Sequence, residues 1–400
     1  MSLLRPAHLG PCMTAFAFTL LSNCLTPLAC AGETVRLEVG KPLQEAQRLA
    51  AAGKYKEALS KLRDADKVGN KTAFETYQVE YVRAAAAAGS GDNASAIKAF
   101  EYVVNSGRLP AAQEPKFTQA LAGMYYRAKD WPKAIVWINR SLKDGDNGPM
   151  RELLTQTYYV SGNYAAAAKE LQAHAASEGQ LQMLANIELK QGDKNAYVQT
   201  LEKLAANYPK SIYWANLLSR VTGKAGFSDR LNLDVFRLKL VCKLVTKGGE
   251  FMEMGQLALL AGDPAEALKV LDQGYQLGVL GSGADAARHL RLKNLALKTL
   301  ADNAKSEAAS EAELLKNKDG DGLAARGFAL VSGGQGEKGL MLMNQAIKMN
   351  GLKHPDEAKL HLSIAYLLAG KKTNALATLK TVRGTDGAAD LARYWLLQLA

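Results

Sequence analysis

Apolar residues recur along this chain at helical spacing, in pairs of short segments that a polar turn separates. Between residues 119 and 142, Leu121 and Tyr125 stand four positions apart before a Lys-Asp turn, and Ala134 follows the turn. Residues four apart share one face of a helix, so this stretch predicts one helix, a turn and a second helix folded back on the first. Neither helix can bury its apolar face alone, and each pair therefore needs neighbours.

The same pattern recurs from residue 43 to residue 399. Each turn is followed, five positions after its first residue, by a small residue such as Ala58, Ala96, Ala134 or Ala167. These small residues are about 30 to 38 positions apart, and two gaps of about 70 positions leave room for one degenerate pair each. The sequence therefore predicts an all-α fold for residues 32–400, a solenoid of about ten antiparallel helix pairs.

The two degenerate pairs lack the turn pattern but have helical composition. We predict the sixth pair at 212–222 and 229–245, and the eighth pair at 284–296 and 297–316. Tyr197 and Gly339 depart from the pattern at the small position, and the bulk of Tyr197 predicts an irregularity there. The polar segment 306–322 favours a long second helix followed by a turn, with a hinge between two blocks of repeats as the alternative.

The repeated positions resemble the tetratricopeptide repeat. Leu121, Ala122 and Tyr125 match the leucine, small residue and tyrosine of that repeat's first helix, Ala134 matches the small residue of its second helix, and Pro209 matches its closing proline. The resemblance implies a right-handed superhelix whose inner wall is formed by the first helix of each pair. It also implies that a peptide or a partner protein binds along that wall.

Helix faces that the packing pattern does not use give the predicted inner wall. In the third to fifth pairs these faces carry amides, tyrosines, lysine and arginine, which suit an extended backbone or an acidic tail. In the sixth pair they carry two aromatic residues. The predicted residues of this peptide- or partner-binding groove are Lys116, Gln119, Arg127, Glu152, Gln156, Tyr159, Gln182, Asn186, Lys190, Tyr213 and Trp214.

The first 31 residues have the pattern of a secretory signal peptide. Arg5 precedes a short apolar run at 13–21, and Ala29-Cys30-Ala31 offers small residues before a cleavage site. The run is shorter than the roughly 20 residues that span a bilayer, although a membrane anchor remains the alternative. Lipid attachment at Cys30 is disfavoured because Pro27 stands where an aliphatic residue is expected. We expect a periplasmic protein in a bacterium, without a transmembrane segment once the signal is removed.

Charge and reactive residues narrow the class of function. The formal net charge of +11 is spread thinly, which favours an acidic partner but lacks the dense basic and aromatic stripe of nucleic-acid binders. Cys242 is the one cysteine after the signal, and its apolar surroundings predict an inert thiol. We find no phosphate-binding loop and no nucleophile motif, so we expect no catalytic role and no cofactor.

Two clusters of acidic residues or histidines are candidate metal sites. His354, Glu357 and His361 offer too few convergent ligands for zinc. The Asn-x-Asp-x-Asp-Gly run at 317–322 resembles the start of a calcium loop, but Phe328 stands where its final glutamate belongs. Solvated turns and surface histidines are the preferred interpretations, and no metal is expected.

The sequence thus predicts a non-enzymatic protein-binding scaffold or adaptor of the bacterial periplasm. As a whole, the chain also resembles proteobacterial periplasmic repeat proteins described as components of the TonB energy-transduction system, through residues 43–62 and 226–231. The alternative is an assembly factor associated with exported polysaccharide or peptidoglycan. A groove of stacked aromatic residues favours the glycan, whereas amides and lysines favour a peptide.

Overall fold

The computed structural model describes residues 33–400 except residues 144, 146, 176 and 350, and of residues 307 and 308 it describes the backbone alone. The predicted signal peptide lies outside the described residues. Within them the chain forms twenty α-helices and one short 3-10 helix at Asp229–Leu231, and no strand. The all-α class that the sequence predicts is confirmed.

The chain divides into two compact units, one up to Asp193 and one from Lys194 onward. In the first unit, each helix packs on the next one along the chain. Its helices are α1 (Leu37–Ala51), α2 (Tyr55–Asp66), α3 (Ala73–Ser90), α4 (Asn93–Asn105), α5 (Glu114–Arg127), α6 (Trp131–Lys143), α7 (Gly148–Val160), α8 (Tyr164–His174) and α9 (Glu178–Gln191).

The second unit begins at the helix that carries Tyr197. Its helices are α10 (Lys194–Asn207), α11 (Ser211–Thr222), α12 (Asn232–Val241), α13 (Gly248–Leu260), α14 (Pro264–Gln276), α15 (Ala286–Lys316), α16 (Gly320–Ser332), α17 (Gly336–Lys348), α18 (Pro355–Leu368), α19 (Lys372–Leu379) and α20 (Ala388–Leu399). Tyr197 is buried in this unit, with the Arg220 guanidinium 4.2 Å from the centre of its ring.

The turns inside the helix pairs follow the predicted chemistry. The turn glycine adopts a left-handed backbone, as at Gly91 with φ 78° and Gly162 with φ 79°, where a side chain is normally disfavoured. Lys129 takes the same conformation, with φ 59°, in the third pair. The next polar residue caps the second helix: Asp92 accepts a hydrogen bond from the Ser95 amide at 3.1 Å.

The small residue after each turn lies where the two helices cross. Ala58, Ala96, Ala134 and Ala167 are completely buried, as are Ala267 and Ala375 in the second unit. Gly339 takes this position in α17, where an added Cβ would lie only 2.4 Å from the Gly327 carbonyl oxygen of α16. The buried small residues fit the predicted close crossing, and at Gly339 the backbones of α16 and α17 leave no room for a Cβ.

The eighth predicted pair is wrong. The segments predicted at 284–296 and 297–316 form one continuous helix of 31 residues, α15. The sequence around Leu295-Ala296-Leu297-Lys298 contains strong helix formers and neither glycine nor proline, so nothing ends the helix there. Residues 306–316 continue this helix and a turn follows them; a hinge at 306–322 stays a prediction.

The second unit closes on itself. Its last helix, α20, packs against α10 and α12 as well as against α18 and α19. Arg230, just before α12, donates to Glu357 of α18 at 3.2 Å and to Asp386, just before α20, at 3.0 Å. The Ser228 amide also donates to the Asp386 carbonyl oxygen at 2.9 Å. The closure was not predicted, because the repeat pattern concerns neighbours along the chain.

A buried charged cluster lies inside this closed unit. The Arg237 guanidinium donates two bonds to Glu266, at 2.7 and 2.6 Å, and one to Asp234 at 2.8 Å, and it lies 4.3 Å from the centre of the Phe328 ring. His361 lies 3.0 Å from the second oxygen of Asp234. Burial disfavours the charged carboxylate, but His361 and Arg237 outweigh it and lower the pKa of Asp234 to about 2. The cluster ties α12 and α14 to α16 and α18.

Substituting Gly339 tests the close crossing of α16 and α17. We expect Gly339→Ala to destabilise these helices by about 1–3 kcal/mol, because the new methyl group overlaps the Gly327 carbonyl. Gly336→Ala, in the same helix, meets only the Ala369 side chain at 3.6 Å and should cost nothing. Amide hydrogen exchange of α16 and α17 measures both. Equal exchange rates in the two variants would contradict the crossing described here.

Glu75 makes the stability of the first unit depend on pH. Its buried carboxylate accepts bonds from the Arg36 side chain at 2.9 and 2.8 Å, and Arg36 and the Thr72 amide lower its pKa to about 2. The folded state therefore holds the charged form, so this stabilisation is present above the ordinary carboxyl pKa and is lost as the pH falls toward 2. Glu75→Gln should cost about 2 kcal/mol at pH 7.

Hydrogen exchange of α1 to α3, compared between wild type and Glu75→Gln, measures that contribution. The difference between the two proteins should shrink steadily from pH 5 to pH 2. A difference that stays constant across this range would show that the Glu75 charge contributes nothing.

Candidate functional site

Three first helices of the first unit, α5, α7 and α9, carry polar residues at matching positions. Gln119, Glu152 and Gln182 occupy one such position, counted back from the turn that ends each helix. Gln156 and Asn186 lie four residues further on in α7 and α9, and therefore on the same helix face. The repeat thus places rows of polar side chains across successive helices, as the sequence predicts.

Local caps fix where α7 and α9 begin. Asn147 accepts a bond from the Met150 amide at 3.3 Å, ahead of α7. Ser177 and Gln180 exchange bonds of 3.3 and 3.2 Å in a capping box at the start of α9. The Gln180 amide also donates to Glu152 at 3.5 Å, which connects α9 to α7. The register of the polar rows is therefore set by side chains of the same helices.

The structure leaves the unit 1 residues of the predicted groove accessible. Lys116, Arg127, Glu152 and Lys190 are exposed. The half-buried members are Gln119, Gln156, Tyr159, Gln182 and Asn186. Three of the four exposed charges are positive, so this face favours a ligand with acidic groups.

Tyr159 and Lys190 come together with a third residue, Tyr164. The Lys190 ammonium donates to the Tyr164 hydroxyl at 2.9 Å, and it lies 4.7 Å from the Tyr164 ring centre and 5.1 Å from that of Tyr159. The two rings meet edge to face at 5.7 Å. The bond to Tyr164 raises the pKa of Lys190, so the cluster holds a positive charge against two aromatic rings.

Tyr164 was not among the predicted groove residues, nor was Trp131. Both open a second helix immediately after the turn, where they meet an aromatic residue near the end of the first helix. Tyr126 and Trp131 meet edge to face at 5.4 Å, one repeat before Tyr159 and Tyr164. The aromatic residue at the start of the second helix in both repeats is the sequence signal for these contacts.

Lys116, Gln119 and Arg127 lie apart from this cluster along the chain, on α5. Across the described residues, their side chains make no hydrogen bond or ion pair. Gln182 bonds within its own helix, to Glu178 at 3.5 Å. In the structure Tyr159 therefore contacts Lys190, and Glu152 bonds to α9. The side chains of Lys116, Gln119 and Arg127 on α5 are available to a ligand.

The prediction that Tyr213 and Trp214 line the groove is wrong. Their side chains are buried, with 1% and 5% of their surface exposed. They fall on the apolar face of α11 together with Leu217, Leu218 and Val221, which recur at helical spacing and are also buried. Two large aromatic residues on that face contribute to the core of the second unit and are closed to a ligand.

The two candidate metal clusters make other contacts in the structure. His354 and Glu357 contact Arg230, and His361 contacts Asp234. Asp319 caps α16 by accepting from the Gly322 amide at 2.9 Å. Among the described residues, no three acidic, histidine or cysteine side chains converge as metal ligands would.

Cys242 is half-buried, and burial raises the pKa of its thiol to about 12. At neutral pH it is therefore protonated, which makes it a poor nucleophile. This agrees with the inert thiol predicted from the apolar sequence around it.

Comparisons with known proteins give distant likenesses in structure only. No protein-family model and no curated protein matches the chain. A tetratricopeptide repeat protein from Parabacteroides merdae covers 82% of this chain and 98% of its own, with 12% identity and a TM-score of 0.29. The TPR2AB domain of yeast Sti1, solved in a complex with pHSP90, covers 90% of this chain and 98% of its own, with 15% identity and a TM-score of 0.23.

Yeast Tom70 covers 90% of this chain and 94% of its own, with 12% identity and a TM-score of 0.24. Superposition at such scores is too loose to carry an argument about function. The repeat architecture of this chain therefore rests on its own turns, crossings and helix pairs.

Removing one hydroxyl tests the Lys190 cluster. We expect Tyr164→Phe to lower the pKa of Lys190, because the bond from its ammonium to Tyr164 is lost while both rings remain. The pKa is measured by NMR titration of lysine Cε signals. Tyr102→Phe, at an exposed tyrosine of α4, is the control and should leave Lys190 unchanged. An unchanged Lys190 pKa in Tyr164→Phe would show that this bond is not formed in solution.

Proposed function

We propose that this chain is a non-enzymatic scaffold that binds a segment of a partner protein along α5, α7 and α9. The observation that carries the proposal is the set of matching amide and cationic positions on these helices, with Tyr159, Tyr164 and Lys190 at one end. The side chains offer hydrogen bonds, positive charge and partly exposed aromatic surface. Those are the features that hold an extended peptide.

Each class of side chain has a distinct part in this binding. Gln156 and Asn186 can donate to and accept from a peptide backbone, because an amide side chain carries both kinds of group. Lys116 and Arg127 can pair with acidic side chains or a terminal carboxylate. We infer that the bound segment is extended and carries acidic residues.

The arrangement of the aromatic rings supports a peptide more than a glycan. A sugar stacks on an open ring face, whereas the faces of Tyr159 and Tyr164 are approached by the Lys190 ammonium. Tyr126 and Trp131 are also inclined, at 61°. An assembly factor for exported polysaccharide or peptidoglycan is therefore the alternative outcome of the experiments below.

We place this scaffold in the bacterial periplasm, on the signal-peptide pattern of residues 1–31. No helix of the described region has both the length and the apolar character needed to cross a membrane. The resemblance of residues 43–62 and 226–231 to periplasmic repeat proteins of the TonB system supports a role beside TonB-type energy transduction in the envelope. Fractionation of cells that express the full chain tests the periplasmic location. Retention of uncleaved protein in the cytoplasm would count against this location.

Site-specific crosslinking tests the surface itself. A photoreactive residue placed at Gln156 or Asn186 of the mature chain should capture the same partner protein from periplasmic extract. Val136, 63% exposed on the second helix α6, is the control position and should capture none. Adducts that contain glycan and no protein at Gln156 would favour the alternative function.

Charge reversal then measures the contribution of α5. With the captured partner, Lys116→Glu with Arg127→Glu should weaken binding about tenfold to a hundredfold, because two favourable pairings become repulsive. Lys98→Glu with Lys169→Glu makes the same change in charge at exposed lysines of α4 and α8, and should have little effect. Equal affinities for the two double variants would show that the partner binds elsewhere.

A further inference from the structure

The long helix α15 has a middle portion that the fold leaves uncovered. Near its start, Leu292 and Ala296 are buried in the apolar cluster of α13 and α14. Near its end, Leu314 and Leu315 pack against the cluster of α16 and α17. Between residues 297 and 310, none of the described side chains is buried.

The outward face of α15 carries an apolar seam at coiled-coil spacing. Its residues alternate by three and four positions, which keeps them on one face of the helix. All six are exposed, including Leu290 at 53% and Leu297 at 48%. The seam residues are Ala287, Leu290, Asn294, Leu297, Ala301 and Ala304.

A row of positive charges runs beside this seam. Arg291, Lys298 and Lys305 recur every seven residues along one edge, and all three are exposed. Lys305 bonds to Asp302, one turn away, at 3.1 Å. Within the part of the chain that the structure describes, Arg291 and Lys298 have no acidic partner. The edge of the seam therefore favours acidic residues on whatever covers it.

We propose that this face of α15 docks an amphipathic helix of a partner protein, one whose apolar seam is flanked by acidic residues. The partner's apolar residues fill the gaps between Leu290 and Leu297, and its acidic edge pairs with the basic row. Ala301 and Ala304 let the two backbones approach closely. Asn294 fixes the register by bonding to a polar residue of the partner, as a single asparagine does in coiled coils.

A second copy of this chain fits the same face poorly. In an antiparallel pair of α15 helices the basic edges face each other, which sets Arg291 of one copy against Lys305 of the other. In a parallel pair Lys298 of one copy faces Lys293 of the other, whose ammonium bonds to Asp272 at 2.6 Å. Both arrangements bring like charges together, so the charges select a different, acidic helix.

A membrane surface also fits less well than a helix. Helices that lie on membranes insert bulky apolar residues, often aromatic ones. This seam has no aromatic residue, three of its six positions are alanine, and Asn294 lies between its two leucines. Small residues and one polar residue are suited to a helix partner and add little to insertion into lipid.

A designed peptide tests the proposal on the mature chain. The probe is a fluorescein-labelled helical peptide with leucine and alanine at its seam, one asparagine within it and glutamate on both flanks. Fluorescence anisotropy should show it binding at least about tenfold more tightly than a scrambled peptide of the same composition. Arg291→Glu with Lys298→Glu should weaken binding about tenfold, and so should Leu290→Gln with Leu297→Gln.

Matched controls change other exposed residues of the same unit. Lys372→Glu with Lys380→Glu reverses two charges in α19 and at its end, and Leu260→Gln with Leu368→Gln changes two exposed leucines of α13 and α18. Both controls should bind the probe as wild type does. Circular dichroism melting of every variant confirms that it is folded. The Lys116 and Arg127 variant should also bind this probe normally, so this test is independent of the proposed function.

Three results would overturn the proposal. The first is equal affinity for the designed and scrambled peptides, or for the α15 variants and their controls. The second is binding to phosphatidylglycerol vesicles, with no specific peptide binding, that is lost in Leu290→Gln with Leu297→Gln; it would assign the face to a membrane. The third is a dimer in light scattering that the same variant abolishes, which would assign the face to a second copy.

Discussion

Close approach of two helices at one small residue is the constraint on which the rest of this protein depends. Ala58, Ala96, Ala134 and Ala167 are fully buried where the helices of each pair cross. The two helices of such a pair bury their apolar faces against each other and against the neighbouring pairs. The opposite face of the first helix is left for solvent or a ligand. The polar rows of α7 and α9 follow directly from this arrangement.

Structural features that depend on residues close together in the chain can be predicted from the sequence. The turns, the crossings and the accessible residues of α5, α7 and α9 all follow from patterns within one repeat. The prediction from sequence was wrong in a segment where the turn pattern is missing. Two gaps of double length suggested two hidden pairs, yet the second gap holds the single helix α15, because nothing in it stops a helix.

Contacts between residues far apart in the chain could not be predicted from the sequence, for a different reason. The burial of Tyr213 and Trp214 depends on how α11 packs in the second unit, and the apolar residues that share their helix face are the sequence signal for it. The cluster of Lys190 with Tyr159 and Tyr164 combines three helices, and its geometry depends on how they pack. A periodic pattern shows which residues all repeats have in common. It does not predict contacts between particular side chains of different helices.

The contacts of Arg230 make the second unit cooperative in a different way from the first. In the first unit each helix packs on the next, so a change in one repeat is felt mainly by its neighbours, as in a linear array. In the second unit Arg230 bonds to partners 127 and 156 positions away. During synthesis these partners emerge long after Arg230, so the second unit completes its structure only when α18 and α20 are present. Loss of the last 15 residues would thus be felt at α10 and α12, in the first part of that unit.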